Sequence, residues 1–278
     1  MYSTYIQKIE TNKIGKILTI AIDNPSKRNA IDSDMAKAIS QSIEFLEDSK
    51  DYSAGVLYGR GGNFSSGFDL ANISKDELSY FDWNDKGNSP IGPCRRNFKK
   101  PIIAAINGYC VGGAFELALA CDVRIMEKSA ILGIFNRRFG IPVMNGGIVR
   151  LLKMVGLSRT LDIVISGRKI CSDEAYQMGL ISKIVPDTVA LSDAMIYALK
   201  LCNLPQKALK HDRNVIYNLA YANMSQVDQF KSECKGAFEI MKQEGSLGAR
   251  KFDEGCGRKG QNIGTKSKLD DSLLKKIK

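Results

Sequence analysis

The segment from Ile102 to Asp122 combines an apolar run of strand length, a glycine-rich turn and a helix that carries one acid, Glu116. Gly112 and Gly113 place almost no side-chain bulk where the helix is expected to begin, so backbone N–H groups there can approach a ligand closely. Glu116 lies about one helical turn further on. The pattern predicts an oxyanion-stabilising site beside an acid or base, although a tight corner with a solvated first-turn acid would use the same residues.

A second small-residue loop, Gly61 to Leu70, follows another apolar run, Ala54 to Tyr58. Two N–H donors from separate loops can converge on one carbonyl oxygen and stabilise the negative charge that develops on it. Loss of one such donor removes roughly 3 kcal/mol of transition-state stabilisation in enzymes that use them. The two loops together therefore favour an enzyme that stabilises an oxyanion.

These loops resemble the active-site motifs of the enoyl-CoA hydratase/isomerase, or crotonase, superfamily, and the resemblance covers Ile17 to Gly260. In that family one N–H donor follows the glycine of an S/A-x-G-x-D loop, which is Phe68 here. The other donor is the middle small residue of the second turn, which is Gly113, 45 residues further on. The resemblance implies an α/β fold, a crotonase-like spiral of repeated ββα units with a C-terminal helical trimerisation region.

The resemblance also implies an acyl-CoA substrate and no separate cofactor, because coenzyme A is part of that substrate. The segment from Asn24 to Ala30 is similar to the family's first CoA-contacting loop, although a solvated turn would suit Lys27 and Arg28 equally well. Asp69 is also suited to tying its loop to the backbone. The substrate-binding residues implied by the resemblance are Lys27, Arg28, Ala30, Ser66, Gly67, Asp69, Leu70, Tyr109, Val111 and Gly112.

Asn136 marks a departure from the family pattern. Hydratases of the family usually carry a second glutamate four residues before a glycine, and counting back from Gly140 leads to Asn136. An asparagine can hold a water molecule by hydrogen bonding but cannot act as an acid or base. We therefore expect Glu116 and Asn136 to form the catalytic pair, with Glu116 alone exchanging protons.

The resemblance favours an enoyl-CoA hydratase, a lyase of fatty acid metabolism that adds water across the 2,3 double bond. Three alternatives stay open: an enoyl-CoA isomerase, whose base usually occupies the position of Asn136; a decarboxylase, which needs little acid–base chemistry; and a non-catalytic acyl-CoA binder. Fold kinship does not decide among them. The extent of the acyl pocket is also open, since much of it would come from Asn72 to Gly92, including Tyr80, Phe81 and Trp83.

Length and composition fit one enzyme domain with a helical appendage. The 278 residues, 44% of them hydrophobic, can bury a substantial core. We expect a crotonase core with the active site over residues 1–190, a helical region that packs the oligomer and the CoA site over 191–260, and a basic, disordered tail over 261–278. A homotrimer or hexamer is expected from the resemblance.

Charge and targeting signals bear on partners and location. The net charge is +10, and Arg258 to Lys278 contribute +5 of it, with seven basic residues against two acidic ones. A solvated tail is favoured over nucleic-acid binding, because that tail has no interleaved aromatic residues. No apolar run of membrane-spanning length, signal-peptide core or peroxisomal signal is present, so we expect no membrane partner and a cytoplasmic location.

The chain offers little for metal or triad chemistry. Its seven cysteines form no CxxC pair, and His211 is the only histidine. We therefore expect no metal site, and we expect Cys110 and Cys121 to serve as small apolar packing groups. Asp122 is expected to serve packing or connection rather than catalysis.

Apolar periodicity places the elements that must position these residues. Continuous apolar runs predict strands, and apolar residues at helical spacing after Asp32 predict the first helix, with Asp32 or Ser33 as its N-cap. From Leu191 onward the pattern is helical. The predicted strands are Ile17 to Ile22, Ala54 to Tyr58, Ile102 to Ile106 and Val123 to Met126.

Overall fold

The computed structural model describes residues 3–73 and 87–258 of the chain. Strands form the framework of the fold. All four predicted strands are present, two of them one residue longer than predicted. Within the described residues the strands are β1 (Ser3–Ile6), β2 (Ile9–Ile14), β3 (Ile17–Ile22), β4 (Ala54–Gly59), β5 (Ile102–Ile106), β6 (Tyr109–Val111), β7 (Val123–Glu127), β8 (Ile131–Gly133), β9 (Ile170–Cys171) and β10 (Lys183–Val185).

Two sheets arise from these strands. In the described part of the chain the larger sheet has the order β1-β2-β3-β4-β5-β7-β10, antiparallel from β1 to β3 and parallel from β3 onward. The smaller sheet has the order β6-β8-β9. Every residue of β3, β4 and β5 is buried, as expected for parallel strands covered on both faces.

Helices alternate with these strands along the chain and continue without strands after β10, within the described residues. Asp32 caps α1 as predicted, because its side chain accepts a hydrogen bond from the Met35 amide at 2.9 Å. Among the described residues the α-helices are α1 (Ser33–Asp48), α2 (Leu70–Ile73), α3 (Gly113–Ala120), α4 (Gly147–Ser166), α5 (Ser172–Gln177), α6 (Ala190–Cys202), α7 (Gln206–Tyr221), α8 (Gln226–Cys234), α9 (Ala237–Ile240) and α10 (Ser246–Asp253).

The chain repeats one path that creates the site. It passes from a strand of the larger sheet to a strand of the smaller sheet and then into a helix, first as β5-β6-α3 and then as β7-β8-α4. A short 3₁₀-helix, Phe135–Phe139, lies between β8 and α4. This is the predicted α/β arrangement of ββα units, and it brings the turn before α3 next to the small sheet.

The chain divides into two units, Met1–Ala198 and Leu199–Lys278. The described part of the second unit is helical, in agreement with the sequence pattern. The expected trimer and the domain boundaries at 190 and 260 stay predictions, and the basic tail 261–278 lies outside the described residues. Across the described ranges, no helix combines the length and apolarity required to cross a membrane.

Candidate active site

One pocket of the first unit is lined by many of the residues that the sequence predicts to form the site. Seven of the predicted site residues line it: Ser66, Phe68, Leu70, Gly112, Gly113, Glu116 and Asn136. Seven further lining residues were not predicted individually: Pro90, Phe135, Phe139, Ile141, Pro142, Met144 and Asn145. Most of these are apolar, so polar groups in the pocket act in a partly dehydrated environment. The predicted contributions of Tyr80, Phe81 and Trp83 lie outside the described residues.

The first loop is fixed by pairing on both of its sides. Ile31 donates its N–H to the Gly67 carbonyl and accepts from the Asp69 N–H, both at 2.8 Å. These bonds form an isolated parallel bridge between Ile31 and Phe68. Because successive peptide groups of an extended segment point to opposite sides, the N–H of Phe68 is directed away from Ile31. On the other side of the loop, Ser65 bridges to Cys110 of β6.

The second loop begins α3, and the structure corrects one expectation about it. The N–H of Gly112 is not available to a ligand, because it donates to the Gly133 carbonyl of β8 at 2.8 Å. Gly113 is the first residue of α3, so its N–H has no acceptor within the helix. A Cβ on Gly113 would lie 2.5 Å from the buried side chain of Ile91, so any larger residue would require that side chain to shift.

The two loops touch at their glycines. A Cβ built on Gly67 would lie 2.9 Å from the Val111 carbonyl oxygen and 3.2 Å from the Gly113 nitrogen. Gly67 also has φ +96°, a conformation that side chains rarely adopt. Gly67 is thus required both by its backbone conformation and by its contact with the second loop. The two loops therefore meet in the fold, and convergence of their N–H groups on one oxygen stays a prediction.

Glu116 is fully buried in α3, the helix that follows the second loop, and its side chain is held by three hydrogen bonds. Its Oε2 accepts from the Asn145 and Gly147 amides at 2.8 and 2.9 Å. Its Oε1 accepts from Asn145 Nδ2 at 2.7 Å. Burial raises the pKa of Glu116 above its ordinary value, and the hydrogen bonds and the charge of Arg150 offset only part of that effect. A raised pKa suits a carboxylate that must exchange protons near neutral pH.

Asn136 lies on the 3₁₀-helix before α4 and faces the same pocket as Glu116. Its Nδ2 donates to the Pro142 carbonyl at 3.2 Å. Its Oδ1 is buried and has no hydrogen-bond partner in the described ranges. The amide is therefore anchored through its nitrogen and leaves its oxygen as an acceptor, which fits the expected role of holding water.

Asn145 and Gly147, the direct partners of Glu116, were not anticipated. They belong to an Asn-Gly-Gly turn that begins α4, in which Gly146 has φ +87°. A Cβ on Gly147 would lie 2.7 Å from Glu116 Cγ and 2.9 Å from Oε2. The Asn-Gly dipeptide is a recognisable turn signal, but the sequence does not indicate that this turn packs on Glu116.

The other predicted substrate-binding residues lie outside the pocket lining: Lys27, Arg28, Ala30, Gly67, Asp69, Tyr109 and Val111. Lys27 forms an ion pair with Asp69 at 2.7 Å, and this hydrogen bond raises the pKa of Lys27. The guanidinium of Arg28 lies 5.5 Å from the ring centre of Tyr109. Ala30 and Val111 are buried. A role for these residues in CoA binding stays a prediction.

Two aspartates have the structural roles expected of them. Asp69 accepts from the Ala71 amide at 3.1 Å, and Asp122 accepts from the Ile102 amide at 2.8 Å. Cys110 and Cys121 are buried within the core, as predicted. Over residues 3–73 and 87–258, no three His, Cys, Asp or Glu side chains are grouped so as to hold a metal ion.

Comparison with known proteins agrees with this fold. A sequence model of the enoyl-CoA hydratase/isomerase family matches residues 12–254. The chain belongs to that family.

Three similar proteins illustrate its range. The short-chain-enoyl-CoA hydratase of Clostridium acetobutylicum is 28% identical over 83% of this chain and 89% of its own length. The carnitinyl-CoA dehydratase of Salmonella agona is 30% identical over 71% of this chain and 75% of its own. The crystal structure of enoyl-CoA hydratase subunit I from Geobacillus kaustophilus is 26% identical, covers 94% of this chain and all of its own, and has a TM-score of 0.83.

Proposed function

We propose that the protein is an enoyl-CoA hydratase in which Glu116, the one acid among the described residues that line the pocket, exchanges the protons. The observation that carries the proposal is the position of Glu116. Its carboxylate is fully buried, yet it lines the same pocket as Phe68 and Gly113. A buried acid beside two convergent loops supports proton transfer to a substrate whose carbonyl oxygen lies between those loops.

The reaction follows from these positions. The thioester oxygen of a 2-enoyl-CoA accepts hydrogen bonds from the Phe68 and Gly113 amides. The water oxygen bonds to the β-carbon while the water molecule gives one proton to Glu116. The electrons of the double bond move toward the thioester oxygen and form the enolate. Glu116 then returns the proton to the α-carbon, which restores the carbonyl and the ionised carboxylate. The sum is addition of one water molecule.

Asn136 weighs against the isomerase, because the base of that reaction would occupy its position and an amide cannot take a proton. A decarboxylase is the second candidate, because loss of carbon dioxide forms the enolate without a base. The three hydrogen bonds to Glu116 also allow a purely structural role, in which this carboxylate caps the start of α4. Such a protein would bind acyl-CoA without reaction.

Purified protein incubated with crotonyl-CoA, and with longer 2-enoyl-CoAs, separates these functions. Hydration removes the absorbance of the conjugated thioester, and the 3-hydroxyacyl-CoA product is identified by mass. Thermal shift with the same compounds reports binding independently of reaction. Turnover supports the hydratase, whereas binding without turnover would favour the decarboxylase or the binder.

A further inference from the structure

The side chain of Asn145 lies close to both Glu116 and Gly113, the proposed acid and one of the two proposed oxyanion donors. Its Nδ2 is 2.7 Å from Glu116 Oε1, and its backbone N–H is 2.8 Å from Oε2. The same Nδ2 is 3.4 Å from the point where a Cβ on Gly113 would stand. Asn145 is 5% exposed, so its carboxamide is packed against both the acid and the glycine that begins α3.

The other end of this carboxamide has an unmet hydrogen-bonding capacity. Since an ionised carboxylate accepts hydrogen bonds and donates none, the nitrogen of Asn145 must face Glu116 and the oxygen must point elsewhere. That oxygen, Oδ1, is buried and has no hydrogen-bond partner among residues 3–73 and 87–258. Buried acceptors are nearly always paired in folded proteins, so this position indicates a ligand that donates a hydrogen bond.

The surrounding groups narrow the chemistry of that ligand. Asn136, which lines the same pocket, has a second buried amide oxygen without a hydrogen-bond partner within the described ranges. Arg150, whose charge acts on Glu116, directs its guanidinium to the carbonyls of Cys94 and Arg96. The thiol of Cys94 is neutral at physiological pH, because burial raises its pKa to about 12. Beside Glu116 the unpartnered groups are thus amide oxygens, which are acceptors that suit the O–H groups of water or an alcohol.

We propose that Asn145 Oδ1 accepts a hydrogen bond from the water that is added to the substrate, and afterwards from the 3-hydroxyl group of the product. This inference rests on the proposed hydratase function. One hydrogen of the water is transferred to Glu116 Oε1 while the water oxygen bonds to the β-carbon. The other hydrogen stays on that oxygen and remains bonded to Asn145.

A binding measurement tests this role without relying on turnover. The ligands are analogues of 3-hydroxybutyryl-CoA and butyryl-CoA in which an amide replaces the thioester, so that the α-protons are too weakly acidic to be removed. The unsubstituted protein is expected to bind the hydroxylated analogue roughly fivefold more tightly, the effect of one hydrogen bond. Asn145→Leu should bind both analogues equally, and Asn145→Asp, which keeps an acceptor oxygen, should retain a preference.

Several outcomes would overturn the inference. Equal binding of both analogues by the unsubstituted protein would do so even if Asn145→Leu failed to fold. An undiminished preference in Asn145→Leu, or in Asn145→Ser as a smaller replacement, would also do so.

Crotonyl-CoA turnover by the same preparations separates this inference from the function on which it rests. A hydroxyl preference that depends on Asn145 in a protein without turnover would end the hydratase proposal but keep the Asn145 site. Turnover without a hydroxyl preference would support the hydratase proposal but end the proposed role of Asn145.

Discussion

Asn145 holds both oxygens of Glu116, one through its backbone amide and the other through its side-chain amide, at 2.8 and 2.7 Å. The two residues are 29 positions apart, in the turn before α4 and within α3. Their contact fixes the orientation of a carboxylate that is completely removed from solvent. A fixed orientation favours catalysis, because a proton donor or acceptor must already be aimed at the reacting atoms.

Glu116→Gln should change how stability depends on pH. Burial raises the folded-state pKa of Glu116 above its ordinary value of 4.5, so protonation of this group stabilises the fold. That stabilisation is fully present below the unfolded-state pKa and is lost as pH rises through the folded-state pKa. Glutamine cannot ionise, so the variant does not lose this stabilisation. The melting temperature of the variant minus that of the unsubstituted protein should therefore increase as pH rises from 4 to 8, roughly the range in which buried glutamates titrate.

The same substitution is structurally tolerable because the amide of Asn145 can reverse. The side-chain oxygen of the introduced glutamine would still accept from the Asn145 and Gly147 backbone amides, while its nitrogen would donate to Asn145 Oδ1. A difference in melting temperature that is constant across this pH range would show that Glu116 does not carry the raised pKa.

Gly67→Ala should abolish most of the turnover with crotonyl-CoA. The added Cβ would stand 3.2 Å from the Gly113 nitrogen and 2.9 Å from the Val111 oxygen, so the two loops could no longer meet. Loss of one oxyanion donor lowers the rate by about a hundredfold or more. Gly62→Ala is the matched control, since Gly62 also has positive φ but nothing lies within 4 Å of its Cβ position. Equal rates in both variants would contradict the role of the convergent loops.

Gly147→Ala should lower kcat without preventing folding. Alanine suits the first position of a helix, but the new methyl group would overlap Glu116 Cγ and Oε2 at 2.7 and 2.9 Å. Displacement of a catalytic group by about 1 Å can reduce the rate by about a hundredfold. Gly248→Ala, in a helix with open space around the site, is the control and should keep its full rate. A fully active Gly147→Ala variant would show that the position of Glu116 is unimportant for turnover.

Asn136→Glu tests whether the absent second acid limits the reaction. A glutamate there would face the pocket from the 3₁₀-helix Phe135–Phe139 and could share proton transfer with Glu116. The expected result is a gain of about tenfold or more in the rate of crotonyl-CoA hydration. Asn136→Gln, with the same length but no acid, should show no gain. If neither variant gains, the missing acid does not limit turnover and another reaction is favoured.

Much of the fold could be predicted because its signals are local. The buried runs of β3, β4 and β5 are continuous and apolar, and Asp32 is a standard N-cap. The short strands of the smaller sheet were not predicted, since two or three residues carry little periodicity. Their existence depends on pairing between segments that are distant in sequence.

The site was predictable only in part for the same reason. Phe68, Gly113 and Glu116 belong to loops whose small residues and single acid stand out in the sequence. Asn145 carries no comparable signal, because its importance comes from a contact across 29 positions. The hydrogen bond from the Gly112 amide to the Gly133 carbonyl likewise joins the ends of β6 and β8, and no local sequence pattern predicts it.

The rate of crotonyl-CoA hydration by the unsubstituted protein and by Glu116→Gln, measured together with crotonyl-CoA affinity, tests the central claim most directly. The unsubstituted protein should form 3-hydroxybutyryl-CoA. The variant should lose at least about a hundredfold in rate while binding the substrate nearly as well, because only the proton-exchanging group has changed. A variant that retains the full rate would contradict the assignment of Glu116 as the acid and base.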